Sequence, residues 1–333
     1  MTVDFTFEAI DEAWPGDKWR RRFVAKWPEA RAWYLGEGDD ARPSLAACRA
    51  ALTDHMPEIV PVWERMCALA GDDEVAHRYL TGWGLPGLFA GCSVSIWDRG
   101  EPQLTRNYDF NLNFFTGVVQ RNCWRDRTVI VMSEAAWGAL DGLNDRGLAT
   151  CLTFGGRPEY SHEGFAIPFV VRYALEVCDT VAEAASVLTR LPVNHVQNVA
   201  LLNRAGDHRV VYMAPDRDAV VRRVSVTTNH QLAPEWPEHD SRSRTVERAE
   251  HLLAKHAEPK MTAEALATVF FSPPLYVNYA DGFGTLYTAV YRPAQGSVTF
   301  RWPDEDWGFS FGDFTEGTRR VRFRDGQPAT AAR

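Results

Sequence analysis

"GLFAGCSVSIWDRGEPQLTRNYDF", residues 87–110, decides how the rest of the chain is read. A Gly-Cys step at 91–92 opens the alternating run "CSVSIW". The turn-forming "DRGEP" at 98–102 reverses the chain, and "QLTRNY" alternates back, the pattern of a β-hairpin. With the turn centred on Gly100, Cys92 falls opposite Tyr108, and Arg106 to Asp109 surround it within roughly 5–8 Å. A thiol, a guanidinium and a carboxylate are thus gathered by the hairpin alone. Arg106 and Asp109 differ in parity, so a straight strand aims them at opposite faces. Both reach Cys92 only if the strand ends or bulges near Asn107 to Asp109. A buried structural cysteine opposite a surface ion pair fits the same spacing.

Before the hairpin, residues 1–83 read as helical: "SLAACRAALTDHM" and "PEIVPVWERMCALAG" carry apolar residues at helical spacing, with a loop at "EGDDARP", 37–43. "GWGLPG" at 82–87 matches GxGxxG in form, but helix precedes it, Pro86 interrupts it and strand follows. A flexible linker is expected there, not a dinucleotide loop. After the hairpin come "TVIVMSE" and, beyond a "GLNDRG" turn, "GLATCLTF", both strand-like. Two helices follow, "FAIPFVVRYALEVC" and "DTVAEAASVLTRL", then strands "QNVALLN", "HRVVYMAP" and "AVVRRVSVTTNH". Helices return at 241–256 and 262–271, and "GTLYTAVYRP" with "SVTFRW" closes a last hairpin about "AQG". The final dozen residues read as loose. Strands, two helices, strands, then helices is not the alternation of a doubly wound sheet. The order predicts an α+β fold, two antiparallel sheets stacked face to face with helices outside, and no internal repeat.

The 333 residues are 45% hydrophobic and 24% charged, the profile of a soluble globular protein with ample core. A net charge of −8 argues against nucleic acid, and the basic runs "KWRRRF" (18–23) and "RRVRFR" (319–324) read as solvated charge beside packing aromatics. No apolar run approaches a membrane span, and the acidic start lacks the basic-then-apolar order of a signal peptide. Six cysteines without paired spacing, no CxxC and no HExxH indicate neither a disulfide framework nor a metal site, and point to a reducing, cytoplasmic compartment. Cys123, Cys151 and Cys178 are expected in the core. Asn144 reads as a turn former. His195 and His230 read as ordinary polar or core residues, since nothing flanking them resembles a papain-like Cys-His pair.

Gly91-Cys92-Ser93, "RNYD" at 106–109, "DGLNDRGL" at 141–148, "TTNH" at 227–230, "SRSR" at 241–244 and the closing "GTLYTAVYRP" stand in an order that resembles the N-terminal nucleophile amidohydrolases. The nearest branch is the penicillin acyltransferase group, related to the bile salt hydrolases and penicillin V acylase. The resemblance covers about residues 92 to 300. It implies a four-layer αββα fold and a precursor that cuts its own Gly91–Cys92 bond. Residues 1–91 would be a helical leader kept as a small subunit, and 92–333 the catalytic domain. An internal peptide nitrogen has no basicity, whereas a free α-amine has a pKa of roughly 7.7–8.0 and a thiol about 8.5. Scission would let Cys92 supply nucleophile and base together.

The resemblance also implies roles. Arg106 would favour the Cys92 thiolate, Asp109 would orient the new ammonium, and Asn229 would donate to the tetrahedral oxyanion. Arg244, at the family's SxxR position, would balance the network's charge. Thr153 stands where relatives carry an Asn or Tyr, a candidate second oxyanion donor or pocket residue; a backbone amide is the alternative. The activity implied is hydrolysis of a linear amide C–N bond in a small N-acyl or aminoacyl compound through a thioester. No cofactor is expected; an acyltransferase, the close alternative, would take coenzyme A thioester as a co-substrate. An uncleaved, non-catalytic binding protein is the reading from another class. A small-molecule amide is the expected partner, with no nucleic acid and no membrane, and a homo-oligomer is compatible with the sequence.

Overall fold

The computed structural model describes residues 2–87 and 90–324; Leu88, Phe89 and the last nine residues of the tail expected to be loose lie outside them. The chain opens with strand β1 (Thr2–Asp11), and a helical stretch follows: α1 (Asp17–Tyr34), α2 (Leu45–His55), α3 (Val60–Ala70) and α4 (Glu74–Tyr79). Then come β2 (Gly91–Trp97), β3 (Gln103–Phe110), β4 (Val118–Asn122), β5 (Val129–Glu134), β6 (Gly138–Asn144) and β7 (Leu148–Phe154). Helices α5 (Ile167–Val177) and α6 (Val181–Arg190) precede β8 (Gln197–Asn203), β9 (His208–Ala214), β10 (Arg217–Arg222) and β11 (Val226–Thr227). The chain ends with α7 (Pro237–Ser243), α8 (Thr245–Ala257), α9 (Ala263–Val269), β12 (Gly284–Arg292), β13 (Ser297–Trp302), β14 (Glu305–Ser310) and β15 (Gly317–Arg324).

Two sheets result. One runs β10-β9-β8-β7-β6-β5-β4-β1-β15 and the other β11-β2-β3-β12-β13-β14. Contact between β2 and β7 joins them; α5 and α6 cover the outside of the larger sheet, and α8 lies on β2 and β11 of the smaller. Leu252 of α8, Leu266 of α9 and Phe270 just beyond α9 close a second core with Trp97 and Val226. The fold is α+β, helix–sheet–sheet–helix, as expected.

Five features differ from the sequence reading. The leader is not wholly helical: β1 enters the large sheet, antiparallel to β15 but parallel to β4, so that sheet is mixed. "DFTFEA" alternates with period two, and Phe7 and Ala9 are buried by it. The segment 82–87 is no flexible linker, because Gly84 N–H donates to Gly164 O and Ala166 N–H to Gly82 O. Gly82, at φ 75°, has the Phe169 ring where a Cβ would stand. "AVVRRVSVTTNH" is not one strand; β10 and β11 belong to different sheets. Cys123 is exposed, not in the core. The tail expected to be loose from residue 322 instead begins within β15, where Val321 and Phe323 are buried while Arg320 and Arg322 meet Asp4 outside.

Candidate active site

The hairpin pairs as its turn dictates, with Cys92 opposite Tyr108, Gly91 opposite Asp109 and Val94 opposite Arg106. No break interrupts β2 against β3; the irregularity lies between β3 and β12, where Leu286 is the extra residue opposite the Tyr108–Asp109 step. Arg106 and Asp109 therefore keep opposite faces. Arg106 reaches Cys92 diagonally on the face turned to the other sheet, and its Nη2 donates to Sγ at 3.3 Å. Asp109 lies on the helix-covered face, accepting from Thr285 Oγ1 at 2.6 Å. It touches the place of the missing Gly91 side chain: a Cβ there would sit 2.9 Å from Asp109 Cβ and 3.1 Å from Oδ2.

β11 ends at Thr227, so it pairs with β2 only at Ser95 and Val94. The backbone groups of Cys92 need other partners. Its N–H donates to Asn229 Oδ1 at 3.0 Å, and its carbonyl accepts from Arg248 Nη1 at 2.6 Å. Arg248 also donates to Ser93 Oγ at 2.9 Å, to Asn229 Oδ1 at 2.6 Å and to Ser243 O at 2.9 Å, and stands 3.9 Å from Asp109 Oδ2. Two donors converging on one atom of the Asn229 amide require it to be oxygen. Its Nδ2 therefore faces Ala90 O (3.3 Å) and Phe154 O (3.2 Å).

Arg106 is clamped from behind. Its Nη1 donates to Leu140 O at 2.8 Å and to the carboxylate of Asp141, which accepts further bonds from the hydroxyls of Tyr287 and Tyr291. Arg106, Asp141 and Cys92 are all fully buried. In the continuous chain, burial pushes the Cys92 thiol up, while Arg106 pulls the other way. The thiol is therefore kept protonated rather than held as a thiolate. Burial likewise raises the Asp109 carboxyl, opposed by Arg248.

Of the residues singled out in the sequence, Gly91, Cys92, Arg106, Asp109 and Asn229 come together, and Arg244 does not. Arg244 is half exposed, pairs with Glu247 and holds φ 53° at the junction of α7 and α8. Arg248 takes the inner position. The signal was "TVER" at 245–248, with Thr in place of Ser at the same spacing, and buried Thr245 bonds Thr228 Oγ1 at 2.8 Å. Thr153 does not face Cys92 as a donor, since its hydroxyl donates to Thr228 O at 2.9 Å and anchors the turn carrying Asn229. Asp141, Tyr287 and Tyr291 were inside quoted motifs yet not read as partners of Arg106. Asn144 is a turn residue that also ties down α5, donating to Leu175 O and Cys178 O. His230 bonds Thr245 Oγ1 at 2.9 Å, and His195 packs at 4.9 Å from the Tyr160 ring; no bond described joins either to Cys92.

A cavity of about 430 Å3 is lined by Tyr108, the strand partner of Cys92, by Leu140 and Phe154, whose carbonyls hold Arg106 and Asn229, and by Ala90, while fully buried Cys92 lies behind them and is not in the lining. The aromatic ladder Trp19, Phe23 and Trp27 of α1 forms a wall.

A cysteine heading an inner strand of an αββα sandwich, with an arginine at its sulfur and an asparagine at its nitrogen, belongs to the class of N-terminal nucleophile hydrolases. The family model of acyl-coenzyme A:6-aminopenicillanic acid acyl-transferase matches residues 97–307, well over half of the chain, and the chain belongs to that family. That family is one of enzymes, described as acyl-transferases. No curated protein matches this chain. Similar solved structures include a mutant conjugated bile acid hydrolase from Clostridium perfringens, 10% identical, covering 70% of this chain and 97% of its own at a TM-score of 0.49. Penicillin V acylase from Agrobacterium tumefaciens is 18% identical (69% and 90% covered, TM-score 0.44). The Caenorhabditis elegans ortholog of N-acylethanolamine-hydrolyzing acid amidase is 16% identical (69% and 99%, TM-score 0.46). Among the described residues no helix is long and apolar enough to cross a membrane.

Proposed function

We propose that the chain cuts its Gly91–Cys92 bond and that Cys92, with its freed α-amine as base, attacks the carbonyl of a small N-acyl or aminoacyl amide to form a thioester. The observation that carries this reading is the convergence of Arg106 Nη2 on Sγ and of Asn229 Oδ1 on the nitrogen of the same residue. Scission would convert that nitrogen from an amide to an amine already held at 3.0 Å. Loss of Gly91 would open the space facing Asp109 Oδ2, giving the ammonium a second acceptor. Departure of Ala90 would free an Asn229 N–H for the oxyanion, a preorganised donor worth on the order of 3 kcal/mol of barrier. In the reaction, Sγ bonds the acyl carbon, the amide nitrogen leaves with the proton held by the Cys92 amine, and water then takes the acyl group. An amine in place of water makes the same enzyme an acyltransferase, which the family's description favours. Product analysis with a competing amine distinguishes the two. Six free cysteines fit a cytoplasmic setting.

Intact mass of freshly purified protein tests the reading. Fragments ending at Gly91 and beginning at Cys92 are expected, and Cys92→Ala should abolish both scission and turnover. A single 37.5 kDa species without amidase activity would leave only the binding-protein reading.

A further inference from the structure

Glu134, the last residue of β5, lines the cavity beneath α1. Its carboxyl is held by backbone amides, Oε1 accepting from Ala135 N at 3.1 Å and Oε2 from Thr116 N at 3.3 Å. Among the described residues no cationic group lies within ion-pair distance of it. Each oxygen keeps lone pairs not used by those bonds, in a cavity walled by Trp19, Phe23 and Trp27, with Arg22 and Lys26 of the same helix also in its lining. A half-buried carboxyl held only by two backbone amides is not matched by a paired charge, and a donor entering the cavity can complete its bonding.

We propose that this cavity takes the acyl half of the substrate, and that Glu134 makes it select acyl chains whose far end carries a hydrogen-bond donor, an amine or a hydroxyl. The inference rests on Cys92 as acyl acceptor. The cavity begins at Tyr108, the residue opposite Cys92, and at Leu140, whose carbonyl holds Arg106. Its volume suits one small acyl group. A site built to bond a substrate's donor disfavours the analogue that lacks it, because an apolar tip displaces water from the acceptor's remaining lone pairs without replacing its bonds. Burial pushes Glu134 up to about 7, opposed by the two backbone amides and by Arg22 and Lys26 of α1. The phenols of Tyr79 and Tyr108, the other titratable groups interacting with it, are themselves raised by burial and stay neutral. An ammonium gains from Glu134 only as the carboxyl ionises and is opposed by Arg22 and Lys26, whereas a hydroxyl pairs with either form.

Three p-nitroanilides of equal acyl length, tipped with amino, hydroxyl or methyl, test this on the full chain. kcat/KM should favour a donor-tipped substrate over the methyl one by about tenfold or more. The ratio of the amino arm to the methyl arm should rise through pH 7, whereas deprotonation of the Cys92 amine raises all three arms alike. Glu134→Leu should collapse the preference, and Glu134→Gln, which keeps an acceptor, should retain part of the hydroxyl arm. Calorimetric binding of the same three compounds to Cys92→Ala reads the pocket without chemistry. Equal affinities there, or a preference surviving Glu134→Leu, would overturn the proposal. Selective binding without any acyl-Cys92 adduct by mass would instead sustain it and sink the thioester.

Discussion

Cys92 is governed by two arginines, and they act differently. Arg106 touches the sulfur, with its charge matched from behind by Asp141. Arg248 touches no sulfur; it holds the carbonyl of Cys92 and the oxygen of Asn229, and so on the proposed mechanism would fix where the basic nitrogen and the oxyanion donor stand. Removing a buried cation from such partners costs about 3–5 kcal/mol. Arg248→Ala should therefore lower the melting temperature and abolish scission. Arg244→Ala removes only a solvent-exposed ion pair, which contributes little, and should leave activity within about twofold. Thermal melts and steady-state rates on the two variants decide it; equal losses would restore Arg244 to the site. In the sequence the two were hard to tell apart, since "SRSRTVER" places three arginines within one turn or two of each other. Which one points inward depends on the chain reversal at Arg244, a left-handed residue that no spacing rule anticipates.

At the scale of elements, the hairpin β2–β3 was the most legible part of the chain. Turn chemistry at "DRGEP" sets its register, and register alone brings Cys92 opposite Tyr108. The bulge was expected in β3 but falls in β12, because what the pairing must absorb is set by a strand distant in sequence. β1 carried its alternation openly in "TVDFTFEAID", yet short alternating runs at the head of a helical segment are outweighed by their neighbours. Gly91 is a point where two strands press close: an added Cβ would meet Asp109. Gly91→Ala should cost about 1–3 kcal/mol by overpacking and slow the appearance of fragments in a time course. Scission at the unaltered rate would show that Asp109 can yield without consequence.

Across the whole molecule, the segments before and after Cys92 are interleaved rather than joined end to end. β1 lies between β4 and β15 in one sheet, and α1 walls the cavity whose floor belongs to the other part. The composition and the strand-helix-strand order were enough to foresee two sheets with helices outside. This interleaving was not foreseeable, because pairing across three hundred residues leaves no local trace. The Arg106 clamp has the same long reach: Asp141 receives its hydroxyls from Tyr287 and Tyr291 on β12. Ribosome-stalled chains ending before residue 284 should accordingly stay whole when probed by gel, whereas those extended past β15 should split; early splitting would show that the clamp is dispensable. The late arrival of β12 is thus a clock. On the proposed scission, the chain has to be almost completely synthesised before the sulfur meets its arginine in working order, so birth would precede injury and no half-made copy would be wasted.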